Sequence, residues 1–241
     1  MKEKLEAEVI RKVHYYYIGK NYKKVIKKLD QNLNYYRLED QGKFDGKEIV
    51  YDVKSNMLSN AGLVLSKQYE GDEATFKVRK ISTLPGEFKR PSKKFQLGRA
   101  DDSETPRDYA LQIANAIGDS FSSAFTVDLV SVVRQTEPRI EIVVTGRKYK
   151  IIGGTGYEAH ILYEIATYKD VSSKKKVKRV GFTLKLPKEE KYDTENNEVM
   201  AAIEKHCKEL VCYEASRFEI AKRLLYPEAP KPLKKNDEEQ A

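Results

Sequence analysis

Glu6 and Glu8, and again Lys77 and Arg79, stand two residues apart in stretches whose apolar residues alternate. On a β-strand that spacing puts both members of a pair on one face. Paired carboxylates and paired cations on sheet faces are suited to a charged ligand. The formal net charge of +8 and a pI near 9.1 favour an anionic one: a phosphate, a nucleic acid or an acidic surface. Other reactive groups are sparse. Cys207 and Cys212 are the only cysteines, and with His206 beside them they lack the second ligand pair that a zinc site needs. No GxxxxGK[ST] loop, no HExxH and no GxSxG turn occurs. Gly153-Gly154-Thr155-Gly156 reads as a hairpin turn rather than an anion nest, because no helix start follows it.

The elements that must position these residues follow from periodicity. Lys4 to Val13 alternates as a first strand that Tyr15–Tyr17 extends, and it carries Glu6, Glu8 and Lys12 on its polar side. Asn21 to Asn34 places Val25, Ile26, Leu29 and Leu33 at helical spacing with lysines opposite, the pattern of a surface helix over a sheet. Val50–Val53 is extended and leads through a helical turn to Gly62, which suits a left-handed stop. Two strands joined at Glu70-Gly71-Asp72-Glu73 come next. Leu63, Leu65, Tyr69, Phe76 and Val78 share their apolar face; Ser66, Gln68, Thr75, Lys77 and Arg79 share the polar one.

Residues 82–105 are rich in Pro, Lys, Gly and Asp and read as irregular, with a short strand at Lys94–Leu97. Thr105-Pro106-Arg107-Asp108 opens a helix that buries Ala110, Ile113, Ala114 and Ile117 and stops at Gly118. Strands are expected at Phe125–Arg134, Arg139–Thr145, Lys148–Ile152, Tyr157–Tyr168 and Lys178–Leu186, with turns between them. A helix over Asn196–Leu210 and a second one over Arg217–Leu225, opened by the capping box of Ser216 and Glu219, close the pattern.

Hydrophobic residues at 40% and charged residues at 34% describe a globular chain long enough to bury a core. The lysine runs are expected to be solvated faces. Two free thiols point to a reducing compartment, no apolar run approaches the roughly 18 residues of a membrane span, and MKEKLEAE lacks the pattern of a signal peptide, so a cytoplasmic location and no membrane partner are expected. One domain over residues 1–226 is expected, with 84–123 an enlarged connection containing a helix and 227–241 a disordered tail.

The polar strand faces collect Glu6, Glu8 and Lys12; Ser66 and Gln68; Thr75, Lys77 and Arg79; Asp128 and Arg134; Arg139 and Glu141; Glu158, His160 and Glu164; Arg179, Thr183 and Lys185. Either this is the wet side of an open sheet, or it lines the inside of a barrel. Apolar helices early, midway and late favour the second: an α+β fold, an antiparallel β-barrel or tunnel of about eight strands with helices packed on the outside.

Glu6-x-Glu8, Tyr51-Asp52 leading through Leu58-x-x-Ala61-Gly62-Leu63, Thr75-Phe76-Lys77, and the closing Ala215-Ser216-Arg217-Phe218 together resemble the CYTH domain of the triphosphate tunnel metalloenzymes. These anchors bracket the chain to about Tyr226, and residues 51–77 match most densely. The resemblance implies a β-tunnel that holds a triphosphate or other phosphorylated ligand with lysines and arginines, and carboxylates that hold Mg²⁺ or Mn²⁺ for its hydrolysis. It makes Glu6 and Glu8 catalytic metal carboxylates, and Lys77 a phosphate ligand with Arg79 beside it. Lys12, Arg134, Arg139, Arg179 and Lys185 join the phosphate ligands by strand face, and Glu158 and Glu164 stand as further metal ligands.

The pattern departs from the family at Ile10, at Ser66 and Gln68 where the family carries arginines, and at Thr183 and Lys185 where it carries acids. Two functions therefore compete. One is a metal-dependent triphosphatase, a phosphoric anhydride hydrolase. The other is a tunnel protein without catalysis that binds a nucleotide or RNA, or serves as a protein-interaction module.

Overall fold

The computed structural model describes residues 12–17, 23–70, 73–80, 103–121, 128–212 and 217–227. The strands among them are β1 (Lys12–Tyr17), β2 (Arg37–Asp52), β3 (Leu63–Glu70), β4 (Glu73–Lys80), β5 (Glu137–Ile152), β6 (Glu158–Asp170), β7 (Lys176–Lys185) and β8 (Leu210–Cys212). The helices are α1 (Lys23–Asn32), α2 (Met57–Asn60), α3 (Ala110–Phe121), α4 (Leu129–Arg134), α5 (Asp193–His206) and α6 (Arg217–Leu225). The eight strands form an antiparallel sheet in the order β4-β3-β2-β5-β6-β7-β1-β8, with helices packed on it, the α+β architecture expected. No helix among the described residues is long and apolar enough to cross a membrane.

The chain divides into two compact units. The first gathers Met1–Asp45, Val144–Thr167 and Lys178–Ser216. Its core joins Tyr15 and Tyr17 of β1 to Ile161 and Tyr163 of β6, Phe182 and Leu184 of β7, and the inward stripes of α1 and α5. The α1 stripe follows from spacing: Val25, Leu29 and Leu33 recur every four residues and are buried, while Lys24 and Lys27 on the other side are exposed. Helix α5 starts at Asp193, three residues before its expected start, because Glu190–Tyr192 supplies a 3₁₀ turn and Asp193 and Glu195 suit the first turn. Leu210, expected at its end, belongs instead to β8 and pairs with Tyr17. The glycine-rich segment is a turn between β5 and β6: the Gly153 amide donates to the Tyr157 carbonyl at 3.0 Å.

The second unit gathers Gly46–Val143, Tyr168–Val177 and Arg217–Ala241. Its core joins Tyr51 and Val53, Leu58 of α2, Leu63 and Leu65 of β3, Phe76 and Val78 of β4, and Ile113 and Ile117 of α3. Gly62 has φ +74°, the left-handed stop after α2. The Thr105 amide and hydroxyl donate to the Asp108 carboxylate at 2.7 and 3.0 Å, so that the acid rather than the hydroxyl caps the opening of a 3₁₀ turn that continues into α3. Helix α3 runs through Gly118 to Phe121 instead of stopping there, a single glycine in a helix costing only about 1 kcal/mol.

Three strand expectations change. Phe125–Arg134 contains α4, not a strand: the Asp128 carboxylate accepts from the Val130 amide at 3.0 Å and from Ser131 Oγ at 2.7 Å, a side-chain cap, while Val132 and Val133 enter the core. The cap and the burial override the strand preference of valine. The expected strands at 139–145 and 148–152 are one, β5, because Gly146 is a close-approach glycine and not a turn. A Cβ there would lie 2.0 Å from the Tyr163 carbonyl oxygen. Strand β2 begins at Arg37, well before Val50, in a stretch with little apolar alternation and mostly exposed side chains. The expected strand over Lys4–Val13 begins, in the described residues, at Lys12; Glu6, Glu8, the strand at Lys94–Leu97, Ser216 and the tail beyond Pro227 lie outside them.

Candidate functional site

The registers of β2, β3 and β4 line up Glu48 with Gln68 and Thr75, Val50 with Ser66 and Lys77, and Val64 with Arg79. Alternation puts these residues on the face opposite the core of the second unit, where Tyr51, Leu65 and Phe76 point the other way. Lys77 Nζ donates to Gln68 Oε1 at 2.5 Å. The Arg79 guanidinium forms an ion pair with Glu48 Oε1 and lies 3.4 Å from Ser66 Oγ. Glu48 keeps only 7% of its side-chain surface and Arg79 27%, so the pair is largely withdrawn from water. The Nε of Arg79 is buried and has no hydrogen-bond partner among the described residues. A buried guanidinium N–H without an acceptor is a costly group unless a ligand supplies one.

Asp52 stands at the end of the same face of β2, and its chemistry is structural. Its carboxylate accepts from the amides of Val53, Leu58 and Ser59 and from Ser59 Oγ, at 2.6–3.0 Å, and so anchors α2. Glu48, by contrast, pairs with Arg79 and is a candidate that sequence reasoning missed. Its signal is the alternation Glu48, Val50, Asp52 running back from the recognised Tyr51-Asp52 pair.

Two cations assigned to the polar face are placed elsewhere. Arg134 is exposed on the last turn of α4, because Leu129–Arg134 is helical rather than a strand. Arg139 pairs with Glu137 at 3.0 Å and shares its side of β5 with Glu141, which bridges Lys47 at 3.5 Å and Lys169 at 3.0 Å. Lys47 lies on the face of Ile49 and Tyr51, so this charge ladder belongs to the opposite face from Arg79. Lys169 is the first influence holding the Glu141 carboxyl below its ordinary range, through its hydrogen bond.

In the first unit, Arg179, Gly181, Thr183 and Lys185 alternate on the face of β7 away from the core, with Lys12 of β1 in register with Lys185 and His14 with Thr183. Arg179 and Lys185 are exposed, whereas Thr183 is buried. Glu164 of β6 is buried and lies against Gly181, its Cγ 3.5 Å from where a Cβ would stand. Glu158 is exposed and pairs with Lys150 at 2.6 Å.

Glu158 and Glu164 do not fit one divalent ion. Six positions apart on a single strand, they are separated by about 20 Å, while Mg²⁺ holds its oxygen ligands at about 2 Å. Among the described residues, no three His, Cys, Asp or Glu side chains gather in a way that could hold a metal ion.

No family model matches the chain, and no curated protein does. Its course is similar to solved structures. A proposed adenylate cyclase from Bacillus halodurans is 9% identical, with a TM-score of 0.43 over 88% of this chain and 98% of that one. HpAC1 from Hippeastrum, a protein with a dominant triphosphatase activity, is 7% identical, with a TM-score of 0.49 over 88% of this chain and 94% of that one. The PH1819 protein of Pyrococcus horikoshii is 12% identical, with a TM-score of 0.41 over 86% of this chain and 96% of that one. The fold class itself rests on the eight strands and their order.

Proposed function

We propose that the chain binds a phosphorylated anion, a triphosphate or a nucleotide, on the polar face of β2, β3 and β4. The observation that carries this reading is Arg79: a guanidinium in a largely dry setting, with Nε lacking an acceptor among the described residues, one register step from Lys77 on the same face. A phosphate offers the planar Arg79 guanidinium two oxygens for bidentate bonding, and Lys77 adds a point charge. Gln68 and Ser66 add neutral hydrogen-bonding groups between them. Lys12, Arg179 and Lys185, on the polar faces of β1 and β7 in the first unit, are offered separately as anion-contacting residues of that unit.

Hydrolysis of the bound anhydride is the finer part of the reading. It would need Mg²⁺ or Mn²⁺ on carboxylates, and the resemblance gives that part to Glu6 and Glu8. The described carboxylates do not supply such a site, so binding without turnover is the competing reading, and the neutral Ser66 and Gln68 favour it. A nucleotide or RNA end would then be the ligand.

Calorimetric titration with tripolyphosphate and ATP, with and without Mn²⁺, tests the binding. Lys77→Ala and Arg79→Ala are each expected to weaken it about ten- to a hundredfold, the worth of one charge-assisted hydrogen bond. Unchanged affinity in both folded variants, or no binding by the parent chain, overturns the proposal. Phosphate release that depends on Mn²⁺ and disappears in Glu6→Gln separates an enzyme from a binder.

A further inference from the structure

We infer that Glu48 is a resident counter-anion that occupies Arg79 in the empty site and that a phosphorylated ligand must displace. The inference rests on the binding reading above and adds a residue that controls affinity.

The geometry is that of a reach across a neighbouring strand. Glu48 and Arg79 belong to β2 and β4, and β3 runs between them. Arg79 is in register with Val64, and Glu48 with Gln68, so the two lie four positions apart along the strand, about 13 Å. They meet because both side chains extend toward each other over Ser66, which is fully buried and small enough to let the guanidinium pass at 3.4 Å. A sheet face does not need this long diagonal for register or packing, since the strands already pair through their backbones.

The charges give the contact its consequence. Among the described residues on this face, Lys77 and Arg79 are the cations and Glu48 is the acid beside them, while Glu70 and Glu73 stand at its hairpin end and Asp52 is committed to α2. Without a ligand, Glu48 spares Arg79 an unpaired buried charge. With one, the same carboxylate repels the anion and competes for the same guanidinium. Glu48 therefore lowers affinity while stabilising the empty fold. A multiply charged phosphate chain can overcome that competition by engaging Lys77 as well, and a singly charged anion cannot.

The test is Glu48→Gln, which keeps shape and removes the charge, titrated with tripolyphosphate beside the parent chain, Arg79→Ala and the Glu48→Gln/Arg79→Ala double variant, with melting temperatures for all four. The double variant leaves no orphaned charge, so it guards against simple unfolding. Glu48→Gln is expected to bind about tenfold tighter or more, with a lower melting temperature when unliganded, and the gain should vanish in the double variant. Glu48→Asp, which keeps the charge, should not reproduce the gain. Parent-like or weaker binding by folded Glu48→Gln, while the parent binds, overturns the role of Glu48 and leaves the binding reading intact. Binding by Glu48→Gln alone supports the role of Glu48 while overturning binding by the parent chain; binding by neither chain overturns both.

Discussion

Tyr226 Oη, just beyond α6, donates a 2.6 Å hydrogen bond to Asp170 Oδ2 at the end of β6. The other carboxylate oxygen accepts from the Ser172 amide, Ser172 Oγ and the Ser173 amide at 2.6–3.0 Å, and Lys175 Nζ donates to the Leu225 carbonyl at 2.8 Å. The β6–β7 turn is thus fastened to the C-terminal end of the last helix. Burial alone would raise the Asp170 pKa, but the bonds from Ser172, Tyr226 and Ser173 outweigh it and hold the carboxyl well below its ordinary range. Burial and the Asp170 bond push Tyr226 up to about 12.

The stability carried by this fastening depends on pH in one direction. The folded-state pKa of Asp170 lies below the value of about 3.9 for an unfolded aspartate, so its contribution is complete above about pH 4 and is lost as pH falls further. Asp170→Asn is expected to cost about 2–3 kcal/mol near neutral pH and Tyr226→Phe about 1–2 kcal/mol, measured by urea denaturation. The gap between Asp170→Asn and the parent should narrow in acid. A gap independent of pH would remove Asp170 ionisation from the account.

Lys67 is wholly buried among apolar neighbours of the second unit. Strand alternation turns it toward the core with Leu65 and Tyr69, and it sits over the rings of Tyr69 and Phe76, 5.3 and 5.6 Å from their centroids. Its Nζ donates to the Glu104 carbonyl at 2.9 Å, one residue before the cap of the helical segment that opens at Thr105. The ammonium thus ties that segment to β3. Lys67→Ala should cost about 3 kcal/mol or more, through a cavity and an orphaned carbonyl, while Lys67→Met, which fills the space, should cost markedly less. Equal losses in thermal or urea melts would mean that the packing of the stem carries none of the effect.

The elements legible in the sequence are those whose periodicity coincides with their burial. Val25, Leu29 and Leu33 define α1, and Leu63, Leu65, Phe76 and Val78 define the hairpin, because each pattern faces one core. The same alternation put Lys77 and Arg79 together on the polar face. Helix α4 was hidden because Val130, Val132 and Val133 favour strands, and only the Asp128 cap argues otherwise. In β5 the close approach of Tyr163 to Gly146 cannot be told from a turn by composition. Arg139 has the expected parity with Glu141, but the side that parity faces is set by Lys47 and Lys169 on neighbouring strands. Glu48 escaped for the same reason, since its partner comes from two strands away.

Gly146 offers a direct test of that distinction. A methyl group at this position would meet the Tyr163 carbonyl oxygen at 2.0 Å and Phe44 Cε1 at 2.9 Å. The carbonyl cannot move without breaking the sheet, so Gly146→Ala should destabilise the chain by about 3 kcal/mol or more. Gly154, in the β5–β6 turn, has open space around its Cβ direction, and Gly154→Ala should change stability by less than about 1 kcal/mol. Comparable melting temperatures for the two variants would return Gly146 to an ordinary turn.

The two cysteines should differ in reactivity, although neither is in a disulfide. Cys207 follows α5, is buried with Ile203 in the core of the first unit, and has its thiol pushed up to about 11 by burial. The thiolate is the reactive form, so at about pH 8 this side chain should be inert. Cys212, on β8, is exposed. A maleimide added to the native chain should modify Cys212 promptly and Cys207 only after denaturation, as peptide mapping would read. Cys212→Ser should abolish the fast reaction without altering the melting temperature, whereas Cys207→Ser, which puts a hydroxyl into the core, should lower stability by about 1–3 kcal/mol. Prompt labelling of Cys207 in the native chain would mean that the α5–β8 corner opens on the timescale of the reaction, and its place in the core would then have to be revised.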